Sequence, residues 1–398
     1  MSDSFRSLFD AQNQHFRREG PADIDHRRTR LKALKAELLR RRGDLWKALH
    51  ADFRKPSEEV DATEIAPVII EINAALRHLQ RWMKPRRLDT PLFMVGTRTE
   101  EHLEPRGVSL IISPWNYVVT LTLGPLVSAV AAGCPVVLKP SEHTAHTSIL
   151  IDAVVASVFP RHEAAVVLGD ASVAEKLLTL PFRHVHFTGS PRVGRIVMRG
   201  AAEYPASVTL ELGGKSPAYV DQTANLAETA DRLVFGKWTN AGQTCIAADY
   251  VLVHEDVRDA LLDHIEASVS RMFGPGPAER RNTPDYARLI HVDHYDRIVS
   301  ALDAAVAGGG RIRFGGGRDS SERYVEPTVV VDPPVECALM TDEIFGPVLP
   351  VVAVSGPDEA ATFIRSLDPP LSMYVFGDDV DLARSFSRQI RTGAVCMN

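Results

Sequence analysis

Short apolar runs alternate with helix-length segments between residues 108 and 187, and this alternation constrains the fold of the chain more than any other feature. The runs are rich in β-branched residues and cover Val108–Ile112, Pro135–Leu138, Ala165–Leu168 and His184–Phe187. Strands joined by helices form right-handed crossover connections, which place successive strands parallel in one sheet. The pattern therefore predicts an α/β fold with a doubly wound parallel sheet.

Helices are predicted before this sheet, and a second α/β region after it. Leucines recur at three-, four- and seven-residue steps from Leu31 to Leu49, and a similar apolar series runs from Ile65 to Leu79, so both segments are predicted to be amphipathic helices. The later elements are helices over Leu226–Trp238 and Val257–Met272 and strands at Tyr250–His254, Val325–Val331 and Pro347–Val354. With 398 residues, 45% of them hydrophobic, the chain is long enough for two domains.

Charge and cysteine usage exclude several classes of protein. The formal net charge of -6 leaves no basic face for nucleic acid. Residues 107–138 carry no charge, but prolines and glycines interrupt them, so we expect buried strands and a helix rather than a membrane span. The N-terminus lacks a signal-peptide pattern, and four cysteines without framework or zinc-site spacing indicate a reducing compartment and no metal. We expect a cytoplasmic protein.

The first candidate binding motif covers residues 184–194, where a strand leads into a helix. Gly189 makes the turn, Ser190 can cap the helix, and Pro191 suits its first position. Free N–H groups at a helix start can bind phosphate. Any strand-to-helix turn looks similar, however, and the spacing is not that of the common dinucleotide fingerprint, so the motif alone is weak evidence.

Glu211 and Cys245 are the candidate reactive groups. Glu211 ends an apolar strand and precedes two glycines. A glutamate there is more often a surface or capping residue, but partial burial would raise its pKa toward that of a useful general base. Cys245 follows a Gly-Gln-Thr turn, where a nucleophile is well placed. The alternative for a lone cysteine, a small buried hydrophobic residue, suits Cys134 and Cys396.

Six motifs together resemble the aldehyde dehydrogenase superfamily, in the family's order and across the whole chain. The N-terminus and the sequence of the Leu-Lys-Pro-Ser-Glu motif are most similar to those of class 3 enzymes and the bacterial coniferyl-aldehyde group. The motifs are Ser-Pro-Trp-Asn-Tyr (113–117), Leu-Lys-Pro-Ser-Glu (138–142), Phe-Thr-Gly-Ser (187–190), Glu-Leu-Gly-Gly-Lys-Ser-Pro (211–217), Gly-Gln-Thr-Cys (242–245) and Glu-Ile-Phe-Gly-Pro (343–347).

The resemblance implies catalytic roles for three residues. Cys245 would attack the aldehyde, giving a thiohemiacetal and, after oxidation, a thioester. Asn116 and the backbone N–H of Cys245 would stabilise the oxyanion. Glu211 would activate the water that hydrolyses the thioester to the carboxylic acid. The substrate expected for this class is an aromatic or medium-chain aliphatic aldehyde.

The resemblance also implies an NAD or NADP site. Lys139 and Glu142 match positions that contact the adenosine ribose, and Glu142 should favour NAD, although the class often accepts both cofactors. Gly189 and Ser190 would face the pyrophosphate, which strengthens the weak turn motif. The remaining two matches are Glu343, which would hold the nicotinamide ribose, and Phe345, which would pack beside it.

The implied organisation is a Rossmann-like cofactor domain (residues 1–88 and 105–210), an extended oligomerisation arm (89–104) and an α/β catalytic domain (211–398). Relatives continue past the point matching Asn398, so the catalytic domain is expected to be C-terminally incomplete and the chain to be a truncated product. Its last apolar run is expected to be a buried strand. With the tail present a homodimer is expected, and without it lower stability, poor dimerisation and weak activity.

Two other functions stay open on the sequence. A CoA-acylating dehydrogenase would pass the thioester to a thiol, but such relatives generally lack a base matching Glu211. A catalytically silent protein of the same fold is disfavoured by the joint presence of Cys245, Glu211 and Asn116.

Overall fold

The computed structural model describes residues 2–398, with side chains from Ser4 onward, and the chain divides into two compact units. The first unit contains the residues up to Leu49 and Val60–Glu211, and the second contains His50–Glu59 and Leu212–Asn398. Among the described residues, no helix is both long and apolar enough to cross a membrane.

The first unit is built around a parallel sheet, as predicted. The sheet has the order β5-β4-β3-β6-β7, and β3 pairs in parallel with both β4 and β6. Its elements, with α3 and α4 extending into the short 50–59 segment, are α1 (Ser2–Glu19), α2 (Ile24–Arg40), α3 (Arg42–Phe53), α4 (Ser57–Val60), a π-helical turn (Asp61–Ile65), α5 (Ala66–Trp82), β1 (Arg86–Leu88), a 3-10 turn (Leu92–Met94), β2 (Thr99–Glu101), β3 (Ser109–Ile112), α6 (Val118–Ala132), β4 (Val136–Lys139), α7 (Ala145–Val158), β5 (Ala164–Val166), α8 (Ala171–Leu178), β6 (His184–Gly189), α9 (Pro191–Ala202) and β7 (Ser207–Leu212).

The leucine series is buried, but the helix predicted over it is two helices. The five leucines of the periodic series, Leu31, Leu34, Leu38, Leu45 and Leu49, are at most 1% exposed, which confirms the predicted core face. The chain breaks between α2 and α3 at Arg41, just before Gly43, a residue that weakens helices. The apolar spacing continues across this break, so periodicity alone could not reveal it.

The segment predicted as an arm forms a two-stranded hairpin. β1 pairs antiparallel with β2, with Arg86 opposite Glu101. The loop between them presents Leu92, Phe93 and Val95, which are 91%, 88% and 77% exposed. Apolar side chains this exposed, on adjacent residues, are typical of contact surfaces.

The second unit holds a seven-stranded sheet with the order β10-β13-β14-β9-β8-β15-β16. β10 runs antiparallel to β13, and the other neighbours are parallel. The elements are β8 (Pro217–Val220), α10 (Leu226–Trp238), 3-10 turns (Thr239–Gly242 and Glu255–Val257), β9 (Tyr250–His254), α11 (Arg258–Phe273), α12 (Pro277–Asn282), α13 (Val292–Ala307), β10 (Arg311–Phe314), β11 (Arg318–Asp319), β12 (Tyr324–Val325), β13 (Thr328–Val331), α14 (Ala338–Thr341), β14 (Val348–Val354), α15 (Pro357–Arg365), β15 (Ser372–Phe376), α16 (Val380–Arg388) and β16 (Ala394–Met397).

The last strand is not buried, so that prediction is wrong. β16 pairs in parallel with β15, but it is the edge strand of the sheet and all four of its residues are exposed. An edge strand has a neighbour on one side only, which leaves its other side open.

Candidate active site

In the first unit, Asn116 lies on the loop that joins β3 to α6 and is only 2% exposed. The buried Glu64 carboxylate fixes the end of this loop, because it accepts hydrogen bonds from the N–H groups of Val119 (3.0 Å) and Thr120 (3.1 Å). A carboxylate at the first turn of a helix also complements the helix dipole. The backbone that carries Asn116 is therefore anchored where α6 begins.

Lys139 and Glu142 are brought together at the carboxyl end of β4. The buried Lys139 Nζ lies 2.7 Å from a carboxylate oxygen of Glu142. Burial, the largest single cause, would raise the pKa of Glu142, but the hydrogen bond from Lys139, a backbone hydrogen bond and nearby positive charge together lower it. The two side chains form an ion pair, which provides a cation at Lys139 and, at Glu142, carboxylate oxygens that can accept hydrogen bonds from hydroxyl groups.

Gly189 and Ser190 form the predicted strand-to-helix turn. Ser190 caps α9, and its Oγ accepts the Val193 N–H at 3.4 Å. A side chain at position 189 would place its Cβ 2.5 Å from the ring of Phe187. Glycine is therefore needed here for space, and the first turn of α9 keeps N–H groups available for an anion.

Glu211 ends the first unit near the end of the edge strand β7, and it is exposed. The partial burial that would favour a general base is therefore not found in this structure. Because β7 has a sheet neighbour on one side only, little packs around the end of that strand.

In the second unit, Cys245 follows a strained turn. Asn240, Ala241 and Gly242 have consecutive left-handed backbone conformations, with φ of 57°, 53° and 76°. This conformation costs about 1–2 kcal/mol for a non-glycine residue such as Ala241. Such strain persists only where surrounding contacts over-determine the backbone.

Gln243 supplies many of those contacts. It is fully buried, and its Nε2 donates to the carbonyls of Asn240 (2.9 Å) and Arg288 (3.0 Å). Its Oε1 accepts the Ile290 N–H at 3.0 Å. Glu59 adds an acceptor for the Asn240 N–H at 2.9 Å. The turn before the cysteine is thus held from both sides.

Cys245 itself is a half-buried thiol, and none of the four cysteines forms a disulfide. Just beyond it, the carbonyl of Ile246 accepts a hydrogen bond from the Tyr374 hydroxyl. Burial is the main cause that raises the pKa of Tyr374, and the nearby Cys245 adds to it. The tyrosine therefore stays a neutral donor beside the thiol.

Glu343 sits against the glycine pair that follows β7. A Cβ on Gly213 would lie 2.3 and 2.4 Å from its two carboxylate oxygens, and the Gly214 N–H donates to it. Burial, with the nearby Asp249, raises the pKa of Glu343 to about 7. Within residues 2–398, the buried Oε1 has no hydrogen-bond partner, which is the state expected of an acceptor waiting for a ligand hydroxyl.

A buried charge cluster lies behind Glu343. Asp249 is 2.6 Å from Lys215 Nζ and 3.7 Å from Lys237 Nζ, and it accepts the Ile344 N–H at 3.1 Å. Burial lowers the pKa of Lys237 to about 8. Buried charges require such partners, so the cluster fixes the backbone next to Glu343.

The loop of Glu343 and Phe345 packs against the turn that precedes Cys245. Phe345 adopts a left-handed conformation with φ of 50°. A Cβ on Gly242 would lie 2.3 Å from the Gly346 carbonyl oxygen, so only glycine allows the two backbones to approach. The second unit therefore brings Cys245, Glu343 and Phe345 onto adjoining segments.

The sequence missed several residues that build these sites: Gln243, Asp249, Lys237 and the pair His294 and Arg297. Gln243 was detectable because it stands inside the Gly-Gln-Thr-Cys motif. The others act across long sequence separations and gave no local signal. Among the described residues, no group of three or more His, Cys, Asp or Glu could hold a metal ion.

Comparison with known proteins gives consistent matches along the chain. Residues 3–398 match the aldehyde dehydrogenase family. The 4,4'-diaponeurosporen-aldehyde dehydrogenase of Staphylococcus aureus is 38% identical, over 96% of this chain and 82% of that protein. The human aldehyde dehydrogenase family 3 member B1 is also 38% identical, over 100% of this chain and 82% of that protein. A substrate-bound Staphylococcus aureus AldH superposes with a TM-score of 0.94 at 37% identity, covering 99% of this chain and 84% of that one.

Proposed function

This chain belongs to the aldehyde dehydrogenase family, and we propose that Cys245, Glu211 and Asn116 carry out its reaction. The enzyme is an NAD(P)-dependent oxidoreductase that converts an aldehyde to the carboxylic acid. The observation that carries the residue assignment is the strained turn of residues 240–242, held by hydrogen bonds with Gln243 and Glu59, that presents Cys245. Among the described residues, no other cysteine follows a turn with three consecutive left-handed conformations.

Cys245 is the nucleophile. Its sulfur adds to the aldehyde carbon, and the carbonyl oxygen becomes an alkoxide. Asn116 and the Cys245 N–H are the donors that stabilise this oxyanion, and loss of one such donor costs about two to three powers of ten in rate. A bound nicotinamide would supply the hydride acceptor, and Cys245 would then hold the acyl group as a thioester.

Glu211 is the general base of the second half-reaction. It removes a proton from the water that attacks the thioester, and the acid leaves as the Cys245 thiol re-forms. Exposure of Glu211 gives water access to the carboxylate. A general base of this kind contributes about two to four powers of ten.

Each proposed cofactor residue is assigned on its own surroundings. Lys139 and Glu142 are proposed to hold the adenosine ribose, since they offer a cation and hydroxyl acceptors. Gly189 and Ser190 are proposed to face the pyrophosphate at the start of α9. Glu343 is proposed to accept a nicotinamide-ribose hydroxyl at its unpartnered oxygen, with Phe345 beside the ring.

We further propose an aromatic or medium-chain aldehyde as substrate, a cytoplasmic location and a homodimer that uses the 89–104 arm. The exposed apolar loop of the arm supports the dimer, and the four reduced thiols suit the cytoplasm. A screen of benzaldehyde, coniferaldehyde, hexanal and acetaldehyde with NAD and NADP, with and without CoA, tests substrate class and thioester fate together.

Substitution of two cysteines tests the nucleophile. Cys245→Ala should abolish turnover while cofactor binding stays near normal, because the proposed pyrophosphate residues lie elsewhere in the sequence. Cys134→Ala, also a half-buried thiol, is the matched control and should keep most activity. The reverse pattern, with Cys134→Ala inactive and Cys245→Ala active, would make the assignment wrong.

A further inference from the structure

We propose that His294 and Arg297, one turn apart on α13, form a clamp that positions Glu343 and Phe345 for the nicotinamide end of the cofactor. The proposal rests on the cofactor roles assigned to Glu343 and Phe345 above. It gives the enzyme two positioning residues that do not themselves take part in the chemistry.

Three consecutive carbonyl groups are held by the clamp. Arg297 donates to the carbonyl oxygens of Glu343, at 3.3 Å, and of Ile344. His294 Nε2 lies 2.8 Å from the carbonyl oxygen of Phe345. Carbonyl groups of neighbouring loop residues normally accept hydrogen bonds from water or from unrelated parts of the chain. Here one turn of α13 donates to three consecutive carbonyls, and this fixes the path of the loop backbone.

The direction of the His294 hydrogen bond follows from Arg297. An Arg297 guanidinium nitrogen lies 3.4 Å from His294 Nδ1, and arginine can only donate. Nδ1 is therefore the acceptor, so Nε2 carries the proton that His294 donates to Phe345. Burial, assisted by Arg297, lowers the pKa of His294 to about 3, and the ring remains neutral at physiological pH.

The loop lies directly on α13, in close contact with it at Gly346. A Cβ on Gly346 would be 2.3 Å from Ile298 Cδ1, one residue beyond Arg297. The strained conformation of Phe345, with φ of 50°, needs such an over-determined setting. Removal of the clamp would let Phe345 relax and carry Glu343 away from its position beside Gly213.

The test measures binding rather than turnover. The wild-type chain, His294→Ala, Arg297→Ala and the double variant are titrated with NADH by fluorescence, and their thermal unfolding is followed. We expect each single variant to bind NADH about ten-fold more weakly, which corresponds to the loss of about one hydrogen bond. The loss of NADH affinity in the double variant should be smaller than the product of the two single-variant losses, because the two side chains hold one loop.

Conservative variants separate positioning from general stability. His294→Gln can still donate to the Phe345 carbonyl and should restore most of the affinity that His294→Ala loses. Arg297→Lys keeps the charge but not the fork of donors, so it should stay weak. His264→Ala on α11, an exposed histidine of the same unit, is the control and should bind as wild type.

Two results would overturn the clamp: wild-type NADH affinity in folded His294→Ala and Arg297→Ala, or a lowered unfolding temperature without any change in affinity. His294→Gln that binds no better than His294→Ala would also overturn the hydrogen-bond assignment. Failure of the proposed function would look different, since Cys245→Ala would then keep turnover whatever the clamp variants do.

Discussion

Gly213→Ala should push the Glu343 carboxylate out of place. The added Cβ would lie 2.3 and 2.4 Å from its oxygens and 2.6 Å from Cδ. Non-bonded carbons rest at about 3.5–4.0 Å, so the carboxylate must retreat by about 1 Å. The backbone of Gly213 is outside the left-handed region, so the methyl group acts through space alone.

A displacement of this size has a predictable cost. A misplacement of about 1 Å typically costs about 100-fold, or about 2.7 kcal/mol at the transition state. We therefore expect kcat/KM for the cofactor to fall about 100-fold. Initial rates at varied NAD and NADP, read at the reduced-cofactor absorbance band, measure this, and an NADH titration shows whether affinity falls as well.

Gly236→Ala is the matched control for the same chemical change. Nothing lies within 4 Å of a Cβ built at Gly236 in α10. This variant should keep wild-type kinetics and gain about 0.5–1 kcal/mol of stability, since alanine suits a helix interior better than glycine. If Gly213→Ala keeps the kinetics of Gly236→Ala, then Glu343 has no role in holding the cofactor.

The remaining predictions concern Glu343, the buried charge cluster behind it and the arm. The pKa of Glu343 near 7 implies that NADH affinity rises as the pH passes upward through 7, because the ionised carboxylate is the acceptor, and Glu343→Gln should flatten that profile. The effect on folding has the opposite sign. Because the pKa of Glu343 is raised from 4.5 to about 7, its protonation stabilises the fold fully below pH 4.5, and this stabilisation is lost as the pH rises through 7. Urea unfolding at several pH values would detect the loss. Asp249→Asn should lower the free energy of unfolding by about 3–5 kcal/mol, because it leaves two buried lysines uncompensated, whereas exposed Asp256→Asn should change it little in the same urea series. Phe93→Ser on the arm should weaken self-association in sedimentation without lowering activity per folded dimer, and an unchanged association constant would remove the arm from the interface.

Much of the fold followed from the sequence because several central strands, β3, β4, β8 and β13 among them, are buried on both faces. The bounds predicted for the helix Leu226–Trp238 and the strand Tyr250–His254 match α10 and β9 residue for residue. The helix Ser2–Glu19 was not predicted, since its few buried residues, Phe9 among them, are spaced among polar ones. β15 (Ser372–Phe376) was missed as well, because a short apolar run cannot be assigned to a strand by periodicity alone.

The site was predictable where the chemistry is local in sequence. The bend before Cys245 followed from its Gly-Gln-Thr motif, and the cap at Ser190 from the Gly-Ser-Pro order. The exposure of Glu211 depends on which strand is at the sheet edge, which no local pattern specifies. The hydrogen bond from His294 to Phe345 spans 51 residues, so only the folded chain brings the two together.

A pre-steady-state experiment on Glu211→Gln tests the central claim, a thioester on Cys245 that Glu211 helps to hydrolyse. Glu211→Gln keeps the shape of the side chain but removes the base, so deacylation alone should slow. After mixing with NAD(P) and aldehyde, the account predicts rapid formation of one equivalent of reduced cofactor followed by very slow turnover, and neither phase in Cys245→Ala. An unchanged steady-state rate in Glu211→Gln, or a burst that survives in Cys245→Ala, would contradict it.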